Sequence, residues 1–248
     1  MEKVHISVAI ITKDEEENIR QCLESVSFAA QIIIVDSGST DATLSIAGEF
    51  GCEIYSEEWR GFGPQKQFAI EKCVYPWILV LDADEWVTPK LRKEIIKAID
   101  NPGQNVAFEM PRLSSYCGQY IHHSGWRPDY VTRLCRRDKA RFGEEIVHES
   151  MIVDGNVGRL SNPIMHESYK DLEEVLTKLN RYSTDGACSL LEGGEKSSLF
   201  KAILHGLWSF VYTYLGRAGF LDGRMGFMLA VYNAETTYYK YLKLMMLH

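Results

Sequence analysis

Two runs of consecutive apolar residues, Ile32-Ile-Ile-Val35 and Trp77-Ile-Leu-Val-Leu81, each end on an aspartate, Asp36 and Asp82. A run that is apolar at odd and even positions alike suits a strand covered on both faces, as in a parallel sheet sandwiched between helices. Helical spacing surrounds these runs. Ile19, Cys22, Leu23 and Val26 recur on one face, and in the turn Ser37-Gly-Ser-Thr-Asp41 either Ser39 or Thr40 is placed to cap a helix reaching about Phe50. Ser7 to Ile11 reads as a first strand, Cys52 to Ser56 as a third, and Gln65 to Lys72 as a short helix. Thr88-Pro89 supplies a cap and a first-turn proline for a helix that turns Leu91, Ile95, Ile96 and Ile99 inward. This alternation predicts an α/β fold with a Rossmann-like, mostly parallel central sheet flanked by helices.

After about Asn101 the rhythm shortens. Val131 to Phe142 reads as a hairpin through Arg137-Asp138-Lys139, and helical periodicity returns from Asp171 to about Leu191. Gly193-Gly194 is the softest boundary, dividing a domain of residues 1–194 from a helical carboxy-terminal extension of residues 195–248. With 248 residues, 46% of them hydrophobic, the chain can bury a sizeable core. Its net charge of -7 argues against nucleic acid as a partner, because phosphate neutralisation needs a basic face. Six cysteines stand singly with no C-x-x-C pair, the usage of free thiols in a reducing cytoplasm. The amino terminus lacks the basic flank and cleavage site of a secretory signal and reads as strand.

In open α/β sheets, ligands bind beyond the carboxyl ends of the strands, where Asp36 and Asp82 fall. Asp36-Ser-Gly-Ser also has the makings of a simple side-chain-capped turn. Asp82, Asp84 and Glu85 repel one another within four residues, and a divalent cation bridging phosphate oxygens relieves that repulsion.

Four blocks in order, VAIITKDEEENI, IIIVDSGSTD, GFGPQKQFA and VLDADEW, cover Val8 to about Trp86 and resemble family 2 glycosyltransferases of the GT-A fold. WRPDYVTRLCRRDKARF, GEEIVHESMIVDG and FLDGRMG extend the resemblance toward the branch containing lipopolysaccharide core β-1,4-glucosyltransferases. The resemblance implies that Thr12, Glu15 and Asp36 surround the nucleotide base and ribose, with Lys66 reaching the base or pyrophosphate. It implies that Asp82 contacts ribose or metal and that Asp84 binds Mg²⁺ or Mn²⁺ on the diphosphate, with Glu85 behind them. The block Lys13-Asp14-Glu15-Glu16 departs from the family, in which an Asn often precedes the paired acids.

Inversion at the anomeric carbon needs a general base outside the metal cluster. The Glu-Asp pair that family 2 enzymes commonly use has no clear copy here, so the expectation moves to Val147-His148-Glu149. Glu149 is then the base, Glu145 and Glu144 its rivals, and His148 a metal or phosphate contact. Among Arg127, Arg133, Arg136 and Arg137, guanidinium groups suit the leaving diphosphate, and Arg133 joins the expected donor-binding set.

Residues 196–248 hold six Lys or Arg against two acids, a net +4, which leaves -11 on the rest. Leu199 to Leu215 is apolar but interrupted by Lys201, His205, Gly206 and Ser209, so it suits an interfacial helix better than a span. The competing role is helix packing, on the catalytic domain or in a homo-oligomer. Together these readings describe a metal-dependent, inverting hexosyltransferase. It takes a UDP-sugar, glucose foremost, and a lipid-linked saccharide such as the lipopolysaccharide inner core, and it works peripherally on the cytoplasmic face of the inner membrane. The alternatives are transfer to polyprenyl phosphate or another envelope glycan, and a non-catalytic sugar-nucleotide-binding protein.

Overall fold

In the computed structural model, which describes residues 3–143 and 150–247, the chain divides into two compact units. Unit 1 comprises residues 1–112 and 129–166, and unit 2 comprises residues 113–128 and 167–248.

Unit 1 opens with β1 (Val4–Thr12), α1 (Ile19–Ser25), β2 (Ala29–Asp36), α2 (Thr43–Glu49) and β3 (Glu53–Ser56). It continues through α3 (Phe62–Lys72), β4 (Trp77–Asp82), β5 (Glu85–Val87) and α4 (Pro89–Asp100). The strand β6 (Asn105–Tyr116) runs from unit 1 into unit 2, where it pairs with β7 (Gln119–Tyr120). The chain returns through β8 (Tyr130–Arg136), β9 (Ala140–Phe142), β10 (Met151–Val153) and β11 (Asn156–Arg159), then crosses again along β12 (Ile164–Tyr169).

The sheet order is β3-β2-β1-β4-β8-β6-β12-β5. The first four strands are parallel neighbours, and their register aligns the functional ends: Thr12 lies opposite Asp36, Ile11 opposite Asp82, and Asp36 opposite Ser56. Strand alternation sorts the apolar runs into two cores. Ile6, Val8, Ile10, Leu79 and Leu81 join Ile19 and Leu23 of α1 and Leu91 and Ile95 of α4 on one face. Ala9, Ile11, Ile33, Val35 and Val80 join Ala69 and Ile70 of α3 on the other. The double-sided apolar runs therefore do what their composition predicts.

Several local expectations change. Thr88 does cap α4, its Oγ1 accepting from the Leu91 amide at 3.2 Å, but Ile96 is only partly buried and Ala98 takes the inward place. Neither Ser39 nor Thr40 caps α2, which starts at Thr43, because carboxylates nearby claim both residues. The turn at 137–139 exists, yet its arms do not form the expected hairpin: β8 pairs with β4 and β6, and β9 pairs with β10. The interior positions Leu134 and Cys135 of β8 are drawn into the large sheet, where both are fully buried.

Unit 2 is helical. Its α5 (Leu172–Glu192) is capped by Asp171, which accepts from the Glu174 amide at 2.9 Å while Glu174 accepts from Lys170 at 2.8 Å. Then come α6 (Leu199–Val211), a π-helical turn (Tyr212–Gly216), a 3₁₀ turn (Gly219–Asp222) and α7 (Gly223–Met246). Its core joins Tyr116, Ile121 and Tyr169 to Val175 and Leu179 of α5 and Leu229 and Tyr232 of α7.

Candidate functional site

The loops leaving β1 and β2 are laced together. Asp14 accepts the Thr40 amide at 2.7 Å and donates its own amide to Ser39 Oγ at 2.9 Å. Glu16 accepts the Ala42 amide at 2.9 Å and gives its own to Asp41 Oδ2 at 3.0 Å. The Glu15 amide donates to Thr43 Oγ1 at 2.8 Å, and the Glu15 carboxylate accepts from Asn18 at 2.8 Å. Asp36 is buried, with Oδ2 accepting from the amides of Gly38 and Ser39 and Oδ1 from the Ser39 hydroxyl, so its carboxylate shapes its own turn. Thr12 is buried beside it, and the Thr12 hydroxyl makes no hydrogen bond among the described residues.

Beyond β4 the acids separate into two environments. Lys66, fully buried on α3, places Nζ 2.7 Å from Asp82 Oδ1, and Arg133 on β8 places Nη2 2.5 Å from Asp82 Oδ2. The same Arg133 nitrogen donates to Glu85 Oε1 at 2.8 Å. Glu85, fully buried, also accepts the Asp82 amide at 3.1 Å and has Arg112 Nη1 at 3.7 Å, while Arg112 grips Asp129 at 2.9 Å. Burial pushes the Asp82 carboxyl up, but Arg133 and Lys66 outweigh it and hold the group well below the usual carboxylate range. The repulsion expected among these acids is thus met first by fixed side-chain cations. Cys22 lies 3.8 Å from the Asp82 carbonyl, and its burial, with Glu85, Asp84 and Asp82 nearby, pushes the thiol well up and keeps it neutral.

Asp84 is different. Its Oδ1 is buried and accepts no hydrogen bond among the described residues, and its Oδ2 lies 3.3 Å from Nε2 of His166. The antiparallel register of β12 on β5 sets His166 opposite Glu85 and so beside Asp84. The Asp84 carboxylate is a donor that fits Mg²⁺ or Mn²⁺, while the imidazole nitrogen beside it suits Mn²⁺ better than Mg²⁺. No group of three His, Cys, Asp or Glu that could hold a metal ion converges among the described residues.

The structure therefore brings Asp82, Lys66 and Arg133 together as one ion-paired group, sets Asp84 apart with His166, and lines Thr12, Glu15 and Asp36 along the ends of β1 and β2. Glu144, Glu145, His148 and Glu149 lie outside the described residues. Sequence reading missed His166 and Arg112. A signal for the first existed, since His-Glu-Ser occurs at 148–150 and again at 166–168, but only strand register shows that the second copy faces Asp84.

Comparison with known proteins gives four findings. The model of the family described as "Glycosyl transferase family 2" matches residues 7–152. A "Lipopolysaccharide core biosynthesis glycosyltransferase LpsC" of Rhizobium meliloti is 31% identical over 258 residues, covering 96% of this chain and 94% of that protein. An uncharacterized glycosyltransferase of Rickettsia felis is also 31% identical, with 98% of this chain and 90% of that one covered. Among solved structures, S. aureus TarS 1-349 in complex with UDP-GlcNAc superposes with a TM-score of 0.50 at 14% identity, covering 93% of this chain and 79% of that one, a likeness of fold.

Proposed function

The chain belongs to glycosyl transferase family 2 and carries the GT-A fold, and on that premise we propose that it is an inverting, metal-dependent hexosyltransferase. Its donor is a UDP-sugar, UDP-glucose foremost, and its acceptor a lipid-linked saccharide of the lipopolysaccharide inner core type at the cytoplasmic face of the inner membrane. Support for the acceptor class comes from the relative whose name refers to lipopolysaccharide core biosynthesis, which aligns with nearly the whole chain. Support for the donor comes from the sheet rim and from the UDP-GlcNAc complex of the TarS protein.

The observation that carries the reading is the split between Asp82 and Asp84. Lys66 and Arg133 keep Asp82 ionised and immobile, a fixed acceptor for a ribose hydroxyl. Thr12, with its unpartnered hydroxyl, and Glu15 stand at the nucleoside end. Asp84 and His166 would hold Mg²⁺ or Mn²⁺, which supplies charge neutralisation to the departing diphosphate. Glu149, or Glu145, takes the proton from the acceptor hydroxyl as that oxygen attacks the anomeric carbon from the face opposite the leaving group.

The test incubates the full chain with a panel of nucleotide sugars and either metal, reading released nucleoside diphosphate with and without deacylated core acceptor. UDP release from one donor, stimulated by acceptor, is expected, and Glu149→Gln should retain donor binding while transfer falls by ~10²-fold or more. Failure of every donor and acceptor would return the chain to a binding role, and a dead Glu145→Gln beside an active Glu149→Gln would move the base.

A further inference from the structure

Helix α6 turns its apolar side away from the protein. At 100° per residue, Leu199, Ile203, Leu207, Phe200 and Trp208 fan over half the circumference of α6, and Leu215 follows in the π-helical turn. Phe200 is 71% exposed, Leu207 61%, Trp208 65% and Leu215 60%. The opposite side packs on α7 through small and polar groups: Ala202 and Gly206 are buried, Gly206 leaves little room beside Tyr238 and the Ala234 carbonyl, and Ser209 donates to the Asn233 carbonyl at 3.1 Å. Between the two helices lies a groove of about 340 Å³ lined by Ile203, Leu207, Phe210, Val231 and Tyr238, with Glu235 its one acidic residue. An apolar face of this extent marks a docking surface.

Charge selects the occupant. No Asp or Glu occurs from residue 196 to 221, whereas Lys196, Arg217 and Arg224 are exposed in a chain whose net charge is -7. Arg217 lies against Tyr212, donating to its hydroxyl at 2.8 Å, and Tyr212 stacks on Trp208 at 6.3 Å. Cations and amphipathic rings edging an apolar face complement anionic headgroups above acyl chains. A second copy presents the same cations and so gains no such complement. At 13 residues α6 is about 20 Å long, and no described helix is long and apolar enough to cross a membrane, so contact of α6 with a bilayer would be along its surface.

We propose that this face of α6, with the turn that follows, docks the protein on an anionic lipid bilayer, seating Phe200, Leu207, Trp208 and Leu215 beneath the headgroups. The proposal deepens the reading of a membrane-held acceptor and rests on it only for its use. The test floats the full chain with vesicles of phosphatidylcholine alone or mixed with phosphatidylglycerol. Flotation with the anionic vesicles is expected, weakened by salt and by Lys196→Glu/Arg217→Glu, and reduced at least ~tenfold in Leu207→Glu/Trp208→Glu with an unchanged circular dichroism melt. A full chain that stays at the bottom, or a Leu207→Glu/Trp208→Glu protein that floats equally, overturns the proposal. So does a solution dimer that this double variant dissociates without any flotation, which would give the face to a second copy. Flotation of a chain inactive on every donor would leave the docking face standing and remove the proposed reaction, and transfer to a soluble acceptor without flotation would do the reverse.

Discussion

Asp82 and Asp84 are two residues apart and sit in opposite electrostatic settings. Because Asp82 is bound on both oxygens, its replacement affects structure as well as chemistry: Asp82→Asn leaves the buried Lys66 ammonium poorly compensated. Its carboxyl is depressed in the folded state, so the stability it contributes is fully present above the ordinary aspartate value near ~4 and is lost as pH falls below that value. Urea unfolding against pH should therefore show a shallower acid limb in Asp82→Asn than in the wild type. Asp84→Ala and His166→Ala each remove the 3.3 Å contact between these two side chains and leave the group of Lys66, Asp82 and Arg133 in place. Each is expected to keep its unfolding midpoint while metal-stimulated turnover drops by ~10²-fold or more, and undiminished turnover in both would remove the metal role from this pair. The sequence motifs singled out Asp82, Asp84, Lys66 and Arg133 as candidates. They did not reveal that Lys66 and Arg133 serve Asp82, since α3, β4 and β8 meet only in the folded sheet.

Elements formed where their signals were self-sufficient. The runs at 32–35 and 77–81 became central strands because they are apolar on both faces, and Thr88-Pro89 opened a helix because both residues satisfy its first turn locally. The hairpin at 131–142 failed because pairing depends on competitors far away in sequence, which a local turn cannot announce. The motif FLDGRMG has a plain physical content in unit 2. Asp222 accepts from the amides of His122 and His123 at 3.0 Å and from the Ser124 hydroxyl at 2.8 Å, while a methyl on Gly226 would collide with the Gly219 carbonyl. Asp222→Ala should cost about 3 kcal/mol in urea unfolding, since three donors lose their acceptor. A loss under about 0.5 kcal/mol would show that water replaces the carboxylate.

At the scale of the molecule, the helices after Gly194 belong to a unit that also contains α5 and residues 113–128. Leu229 and Tyr232 cover Tyr116 and Tyr169, and the hydroxyls of Tyr169 and Tyr232 share a hydrogen bond of 2.8 Å. A protein ending at Gly194 would uncover that aromatic core, so it should aggregate or bind a hydrophobic dye, and a soluble, cooperatively melting 1–194 fragment would contradict this. Composition and charge distinguished residues 196–248 from the rest, but segments distant in sequence share one core, and no local property reports that.

The laced loops after β1 and β2 have a consequence for anion recognition. The amides of residues 14, 15, 16, 38, 39, 40, 42 and 43 all point into side chains of the same two loops. A glycine-rich nest grips phosphate by turning such amides outward. These loops have committed theirs, so a nucleotide arriving here meets a rigid, electron-rich shelf, and the positive charge its phosphates demand has to come from outside that shelf.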